Sequence, residues 1–228
     1  MTKIKNKLIN VNNNDYWNIR FEKDWIEKGG KTQTQQHMMS VIPILKKYIP
    51  HTFTGQILDF GCALGDGIPI LHHHFPYAKL IGVDYSKTAI SHCIERYGDF
   101  ANFICNENSE IPFVDVIVSL HCIEHITDDK IMVRTLLKKC SSLFVTVPYN
   151  ENIEYIKEHI HSYNKEYFSD FIEHKNIYIN SPCRNNIRRF IISFLRNFVF
   201  NNIKRFLLGK KLSPLRTKQI TYYFSQSN

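Results

Sequence analysis

The chain has 228 residues, 43% of them hydrophobic, with 29 Lys and Arg against 21 Asp and Glu. That length suits one α/β domain with additions, and the apolar content is enough for a full core; no stretch reaches the roughly 18 consecutive apolar residues that a membrane-crossing helix needs. The basic start lacks an apolar run behind it, so no secretory signal is expected, and Cys62, Cys93, Cys105, Cys122, Cys140 and Cys183 are dispersed without a C-x-x-C pair, as reduced core thiols of a cytosolic protein would be.

The net charge of +8 is local. Residues 184–218 hold ten Lys or Arg and no acid, which leaves 19 basic against 21 acidic residues elsewhere.

Residues 1–14 are polar and Asn-rich. From Asp15 to Lys47 the text is aromatic and helical, and Gly29-Gly30 breaks it into two short helices expected over the mouth of a sheet; residues 1–50 thus form an N-terminal arm and cap, and 51–228 the main domain. Strand 1 is expected over Gln56–Phe60, a helix from about Asp66 to His74, and strand 2 over Lys79–Val83, closed by Asp84. Ser86 caps a helix over Lys87–Tyr97. Strands follow at Asn102–Cys105 and Val114–Leu120, the latter a β-branched run of the doubly buried type. A helix capped by Thr127 or Asp128 runs to about Cys140, and strand 5 covers Leu143–Val147. Asn164 caps a helix over Lys165–Glu173, Asn176–Ile179 is a sixth strand, and Gln219–Phe224 is a last strand closing the sheet. Strands alternating with helices predict an α/β fold: a doubly wound, mostly parallel seven-stranded Rossmann-like sheet, with the N-terminal helical cap and a basic helical insertion (184–212) before the last strand.

The centre of the chain is QILDFGCALGDG, residues 56–67, a strand running through a glycine-rich turn into a helix. Such a turn brings backbone up against a ligand, and glycine permits both the positive φ and the close approach. Asp84, 25 residues after Asp59, stands where an acid accepts both hydroxyls of a ribose, a placement shared by dinucleotide enzymes and S-adenosylmethionine enzymes. The turn separates the two classes. Ala63 stands where a second glycine would admit a pyrophosphate, and no basic residue lies in the turn, so a ligand with one ribose and a zwitterionic tail fits better than one with two phosphates.

The run ILDFGCALGDG, then GVDYS, IPFVDVIVSLHCIEHI and LFVTVPYN resembles the class I S-adenosylmethionine-dependent methyltransferases over Gln56–Phe171. The G-C-A-L-G-D-G spelling, the I-E-H-I element, Y-W-x-x-R-F and G-G-x-x-Q-T are most similar to bacterial small-molecule methyltransferases found with surface-polysaccharide genes. The resemblance implies S-adenosyl-L-methionine as cofactor and the following roles. Backbone at Gly61, Cys62 and Ala63, in the turn completed by Gly65, faces the methionine part, with Asp59 fixing the turn. Asp84 holds the ribose, Tyr85 borders the adenine, Asn106 or Glu107 meets the adenine amine, and Leu120 and His121 border the methyl group and amino tail.

Methyl transfer is an in-line displacement at a sulfonium carbon, so the protein need only align the nucleophile at roughly 3 Å and remove its proton. Histidine suits that task. The catalytic candidates are His121, His159 and His161, with His125 read as a helix-start residue and Glu124 as structural. No metal is expected: His72-His73-His74 point in different directions on a helix, and the carboxylate cluster of metal-dependent O-methyltransferases is not found.

The expected activity is methyl transfer to a small-molecule or glycan acceptor, at oxygen, in polysaccharide biosynthesis. The alternatives are an RNA or other nucleic-acid methyltransferase and a non-catalytic binding subunit of the same fold. Nucleic acid is disfavoured because S-L-H-C stands after strand 4 where DNA amine methyltransferases have N/D-P-P-Y/F, and because basic residues do not surround the site. Residues 187–208 have apolar residues at helical spacing with Arg off the stripe, which suits core packing, a contact with an anionic substrate or a partner subunit, or a peripheral site on the inner face of the membrane. The expected location is therefore cytoplasmic; oligomeric state and acceptor are left open.

Overall fold

The structure is a computed structural model that describes residues 11–106, 110–181, 199, 201–209 and 218–226. Seven strands form one sheet in the order β3-β2-β1-β4-β5-β7-β6: β1 (Gln56–Phe60), β2 (Lys79–Asp84), β3 (Ala101–Cys105), β4 (Val114–Leu120), β5 (Cys140–Pro148), β6 (His174–Asn180) and β7 (Gln219–Ser225). The first five are mutually parallel, and β7 runs antiparallel to both neighbours. β7 does not close the sheet as expected; it lies between β5 and β6, and β6 forms the edge. Its aromatic alternation explains the interior place, since Tyr222 and Phe224 fill one face while Tyr223 fills the other.

Helices α1 (Asn14–Lys23), α2 (Gly30–Leu45), α3 (Ile68–His74), α4 (Lys87–Tyr97) and α5 (Asp129–Leu137) surround the sheet. Period-2 alternation along β1 sends Ile57 toward α2 and α3, where Met38, Leu45, Leu71 and Phe75 are buried, and Leu58 and Phe60 toward α5. α4 packs on the α2–α3 side, through Ile90 and Cys93 against Cys62 and Phe103. Asn13 caps α1 and Ser86 caps α4, each side chain accepting an N–H from the first turn. α5 ends at Leu137, short of the expected Cys140, which opens β5; Asp128 takes the N-cap position without a side-chain hydrogen bond.

The expected helix over Lys165–Glu173 does not form. That stretch is a succession of turns in which Tyr167, Ser169 and Phe171 donate to the carbonyls of Asn164, Glu166 and Phe168. Each of those bonds spans three residues, not four. The side chains explain it: Tyr163 and Tyr167 both donate to Asp129 Oδ2 at 2.8 Å while Phe168 and Phe171 enter the core under α5. Of the basic insertion, the described part includes α6 (Asn201–Leu207); the remainder lies outside the described residues.

Candidate active site

The parallel strands bring the ends of β1, β2, β4 and β5 to one edge. Three non-glycine residues there have left-handed backbone: Ala63 (φ 50°) after β1, His121 (φ 50°) after β4 and Asn150 (φ 49°) after β5. Residues with a Cβ rarely adopt that region, and their concentration at one edge marks a site. Gly61 (φ 77°) is required on two grounds, since a Cβ there would lie 2.3 Å from Cys122 Sγ in the turn after β4.

The turn is tied internally. Gly61 and Cys62 both donate to Val83 O, and Ala63 donates to Asp84 Oδ2 at 3.0 Å. The turn amides expected at the methionine end are therefore engaged within the protein, whereas Gly61 O accepts no hydrogen bond among the described residues and can receive an ammonium group. The other Asp84 oxygen accepts the Ser86 N–H at 2.9 Å. Asp84, more than Asp59, is seen holding the turn.

The electrostatics of this edge are one-sided. Asp59 and Asp84 are both buried. Burial, and then the neighbouring Asp84 charge, pushes the Asp59 carboxyl up to about 7. Burial likewise pushes Asp84 up to about 6, against the lowering effect of the Ser86, Ala63 and Tyr85 amides. The adjoining Cys122 thiol is raised by burial and by the Asp84, Glu124 and Asp59 charges. Among the described residues, no Lys or Arg pairs with either aspartate. A buried anionic pair without an internal cation calls for a cationic ligand.

Helix α1 covers this edge. Trp17 and Phe21 bury against Leu64 and Ala89, with Trp25, Ala63 and Tyr85 alongside. The Tyr85 hydroxyl donates to Asn12 O (3.1 Å) and Asn13 O (3.2 Å), and Asn18 Oδ1 accepts from Ser86 Oγ at 2.5 Å. On the other side the Tyr16 hydroxyl donates to Glu158 Oε1 at 2.6 Å, with Arg20 at 3.5 Å. α1 thus bridges the start of α4 and the loop after β5. Tyr85, expected beside an adenine, sits within the α1 aromatic cluster.

His121 lies at the carboxyl end of β4, after Leu120. Its Nε2 is 3.2 Å from Gln219 Oε1 and its Nδ1 is 3.2 Å from Glu124 Oε1, so both ring nitrogens face acceptors. His37 from α2 stacks on it, ring centroids 3.7 Å apart, and its own Nδ1 is 3.2 Å from the same Gln219 oxygen. The amide is oriented by Ser40: Gln219 Nε2 donates to Ser40 Oγ at 2.7 Å, and that hydroxyl donates to His37 O. Glu124 is wholly buried; burial raises its carboxyl, but the His121 contact and the His121, His125 and His159 charges outweigh this and hold it at about 2.

The other histidines separate. His159 Nδ1 bonds Glu151 Oε2, and its ring lies 4.9 Å from that of His125. His161 turns away: its Nε2 reaches Ile126 O (2.8 Å) and Thr127 O (3.1 Å), and its Nδ1 is 3.3 Å from the Tyr167 hydroxyl. It braces the loop after β5 against the turn before α5. Asn106 follows β3, with its N–H on Asp84 O and its buried Oδ1 without a partner; Glu107 lies outside the described residues.

Residues 57–144 match the protein family described as a methyltransferase domain. The match runs from β1 into β5, so α1, α2, the loop after β5, β6 and β7 lie outside it. Three solved structures share the fold across most of the chain. The plantazolicin methyltransferase BpumL in complex with SAH is 16% identical, with a TM-score of 0.58, over 92% of this chain and 94% of that one. Coclaurine N-methyltransferase bound to N-methylheliamine and SAH is 12% identical, TM-score 0.59, over 83% and 72%. Phosphoethanolamine N-methyltransferase 2 of Haemonchus contortus, in complex with S-adenosyl-L-methionine, is 15% identical, TM-score 0.59, over 93% and 60%. At those identities the likeness is one of fold. No curated protein sequence matches the chain.

Of the side chains gathered at this edge, sequence reasoning missed His37, Ser40, Glu158 and Gln219, all outside the matched segment. The polar run Thr32-Gln33-Thr34-Gln35-Gln36-His37 in the first half of α2, ahead of its apolar second half, was the available signal for the first.

Proposed function

We propose that this chain is an S-adenosylmethionine-dependent methyltransferase acting on a small-molecule acceptor. The observation that carries the reading is the buried Asp59–Asp84 pair, which no Lys or Arg among the described residues joins, beside a glycine turn in the segment that matches the methyltransferase-domain family. S-adenosylmethionine carries a sulfonium and an ammonium against one carboxylate, so its net charge complements this edge. Asp84 spends one acceptor site of each oxygen on Ala63 and Ser86, and a carboxylate has about four such sites, which leaves room for ribose hydroxyls. Gly61 O is available to the ammonium. When bound, the cofactor supplies a methyl group activated on a sulfonium; the chain aligns an acceptor against it and takes up the acceptor proton. The His37–Gln219–His121–Glu124 series stands at the end of β4, where that acceptor would arrive.

The structural neighbours support the acceptor class by their names, which specify plantazolicin, coclaurine and phosphoethanolamine. Two of those names specify nitrogen, so amines belong with hydroxyls and glycans in an acceptor screen. Isothermal titration with S-adenosylmethionine is the first test. Binding with one site per chain is expected; no heat at millimolar ligand overturns the reading. SAH formation then reports turnover on each acceptor.

We also propose that the basic insertion places the protein peripherally on an anionic, cytoplasm-facing membrane. In α6 and just after it, Ile203, Phe206, Leu207 and Leu208 are all more than half exposed, beside a segment rich in Lys and Arg. No described helix is long and apolar enough to cross a membrane. Flotation with anionic liposomes, with and without residues 187–208, tests this; equal flotation removes it.

A further inference from the structure

We propose that Glu124, His125 and His159 form a binding site for one divalent first-row transition metal, beside the site described above and distinct from the His72–His74 tract. One ligand atom from each of the three lies within 4.8 Å of the others. Two imidazoles and one carboxylate are a donor set for Zn2+ and its neighbours Fe2+ and Co2+.

The hydrogen bonds around the cluster leave one ring nitrogen of each histidine as a lone-pair donor. His125 Nδ1 is 2.8 Å from Glu158 O, a group that only accepts, so Nδ1 bears the proton and Nε2 is the lone pair. His159 Nδ1 likewise faces the Glu151 carboxylate, which leaves its Nε2 as the lone pair. A histidine ring held through one nitrogen by a carbonyl or carboxylate is how proteins orient a metal-binding imidazole. Here two rings are held that way and stand with centroids 4.9 Å apart.

Glu124 supplies the independent observation. Its side chain is 0% exposed, and neither carboxylate oxygen has a hydrogen bond of good geometry. Oε1 has an ion-pair contact with His121 Nδ1 at 3.2 Å; Oε2 has none. A buried carboxylate oxygen without a partner is costly, and a cation satisfies it. In a tetrahedral site with bonds of about 2.0–2.1 Å, ligand atoms stand about 3.4 Å apart, so metal entry draws the three together by roughly 1.4 Å at most. His159 lies on the loop after β5, between turns and strand, and can make that movement. Three protein ligands leave a fourth position for water or an oxygen ligand.

The site also explains an arrangement the cofactor does not require. It pins the turn after β4 to the loop after β5, under α1, whose Trp17 packs edge-on to His125 at 5.1 Å.

The test uses the full chain, stripped with a chelator and titrated with Co2+, followed by the visible absorption of low-coordinate cobalt, with Zn2+ as competitor. One equivalent per chain is expected, and the same in the triple variant His72→Ala, His73→Ala, His74→Ala. Glu124→Gln and His159→Ala should each lose the band, and Glu151→Gln should bind 10- to 100-fold more weakly, the usual effect of removing a group that orients a ligand. His159→Ala is read with circular dichroism because Glu124→Gln alters a buried group. No band in the parent chain, unchanged binding in a folded His159→Ala variant, or a band lost only with the His72–His74 tract would overturn the proposal.

Discussion

Replacing Asp59 by Asn should stabilise the ligand-free protein while weakening it as a cofactor site. A buried carboxyl that keeps its proton up to about pH 7, against 3.8 in its unperturbed state, favours folding only while protonated. Below 3.8 the group adds no penalty. As pH rises through 3.8 to about 7 the unfolded chain releases the proton and the folded one does not, so stability falls, and above 7 the full cost of about 4 kcal/mol is present. Asp59→Asn keeps the shape and removes the charge. Its unfolding free energy should match the parent at pH 4 and exceed it by up to about 4 kcal/mol at pH 8, equivalent to a melting midpoint roughly 8–16 °C higher in a domain of this size. Urea unfolding at both pH values measures this directly. With S-adenosylmethionine the order should reverse in one respect: the parent gains more from ligand than the variant does, because the cation relieves the anionic pair. A variant less stable than the parent at pH 8 by more than about 1 kcal/mol would refute the reasoning, since it would show the ionised carboxylate to be held by favourable contacts in the free protein.

Other outcomes follow from the same geometry. S-adenosylmethionine affinity, by calorimetry, should fall as pH drops from 8 to 6, with Asp59 and Asp84 protonating near 7 and 6, whereas SAH, lacking the sulfonium, should respond less. Asp84→Ala should weaken cofactor binding by about 1–3 kcal/mol, and unchanged affinity would displace the ribose from this strand end. Gly61→Ala sets a Cβ 2.3 Å from Cys122 Sγ at φ 77°, and chemical denaturation should register a loss of at least ~1–3 kcal/mol. Tyr163→Phe leaves Asp129 Oδ2 with the Tyr167 hydroxyl alone and should cost about 1–2 kcal/mol without moving cofactor affinity.

The parts of the molecule that were legible in the sequence are those written locally. Asp59, Gly61 and Asp84 announce themselves because strand, glycine turn and strand-terminal acid occur within 30 residues, and β4 because its β-branched run can only be buried on both faces. The segment after Asn164 misled for a physical reason: Tyr163, Tyr167, Phe168 and Phe171 are spaced as on a helix, but the pull of two tyrosines on Asp129 and of two phenylalanines into the core sets successive three-residue turns. The pairing of β7 between β5 and β6 is a long-range choice that no local pattern encodes. The same holds for the histidines. EHIHSY presents His159 and His161 as equals, and only their partners, Glu151 for one and the backbone at Ile126 and Thr127 for the other, assign them to different tasks. His37 and Gln219 meet across 182 positions, beyond any motif.

Gln219 opens β7, and its amide carbonyl faces both His37 and His121. This carries a consequence for the order of assembly. During synthesis the glycine turn, the acid pair and the β4 end can all be in place while β5 and β6 still lack the strand between them. The slot stays open until residues 219–225 emerge and insert, against two partners at once, and that insertion is a slow, high-separation step. Gln219 therefore reaches His37 and His121 only once β7 has paired with both neighbours, so the acceptor-side histidines gain their shared amide from a pairing made far along the chain from the glycine turn.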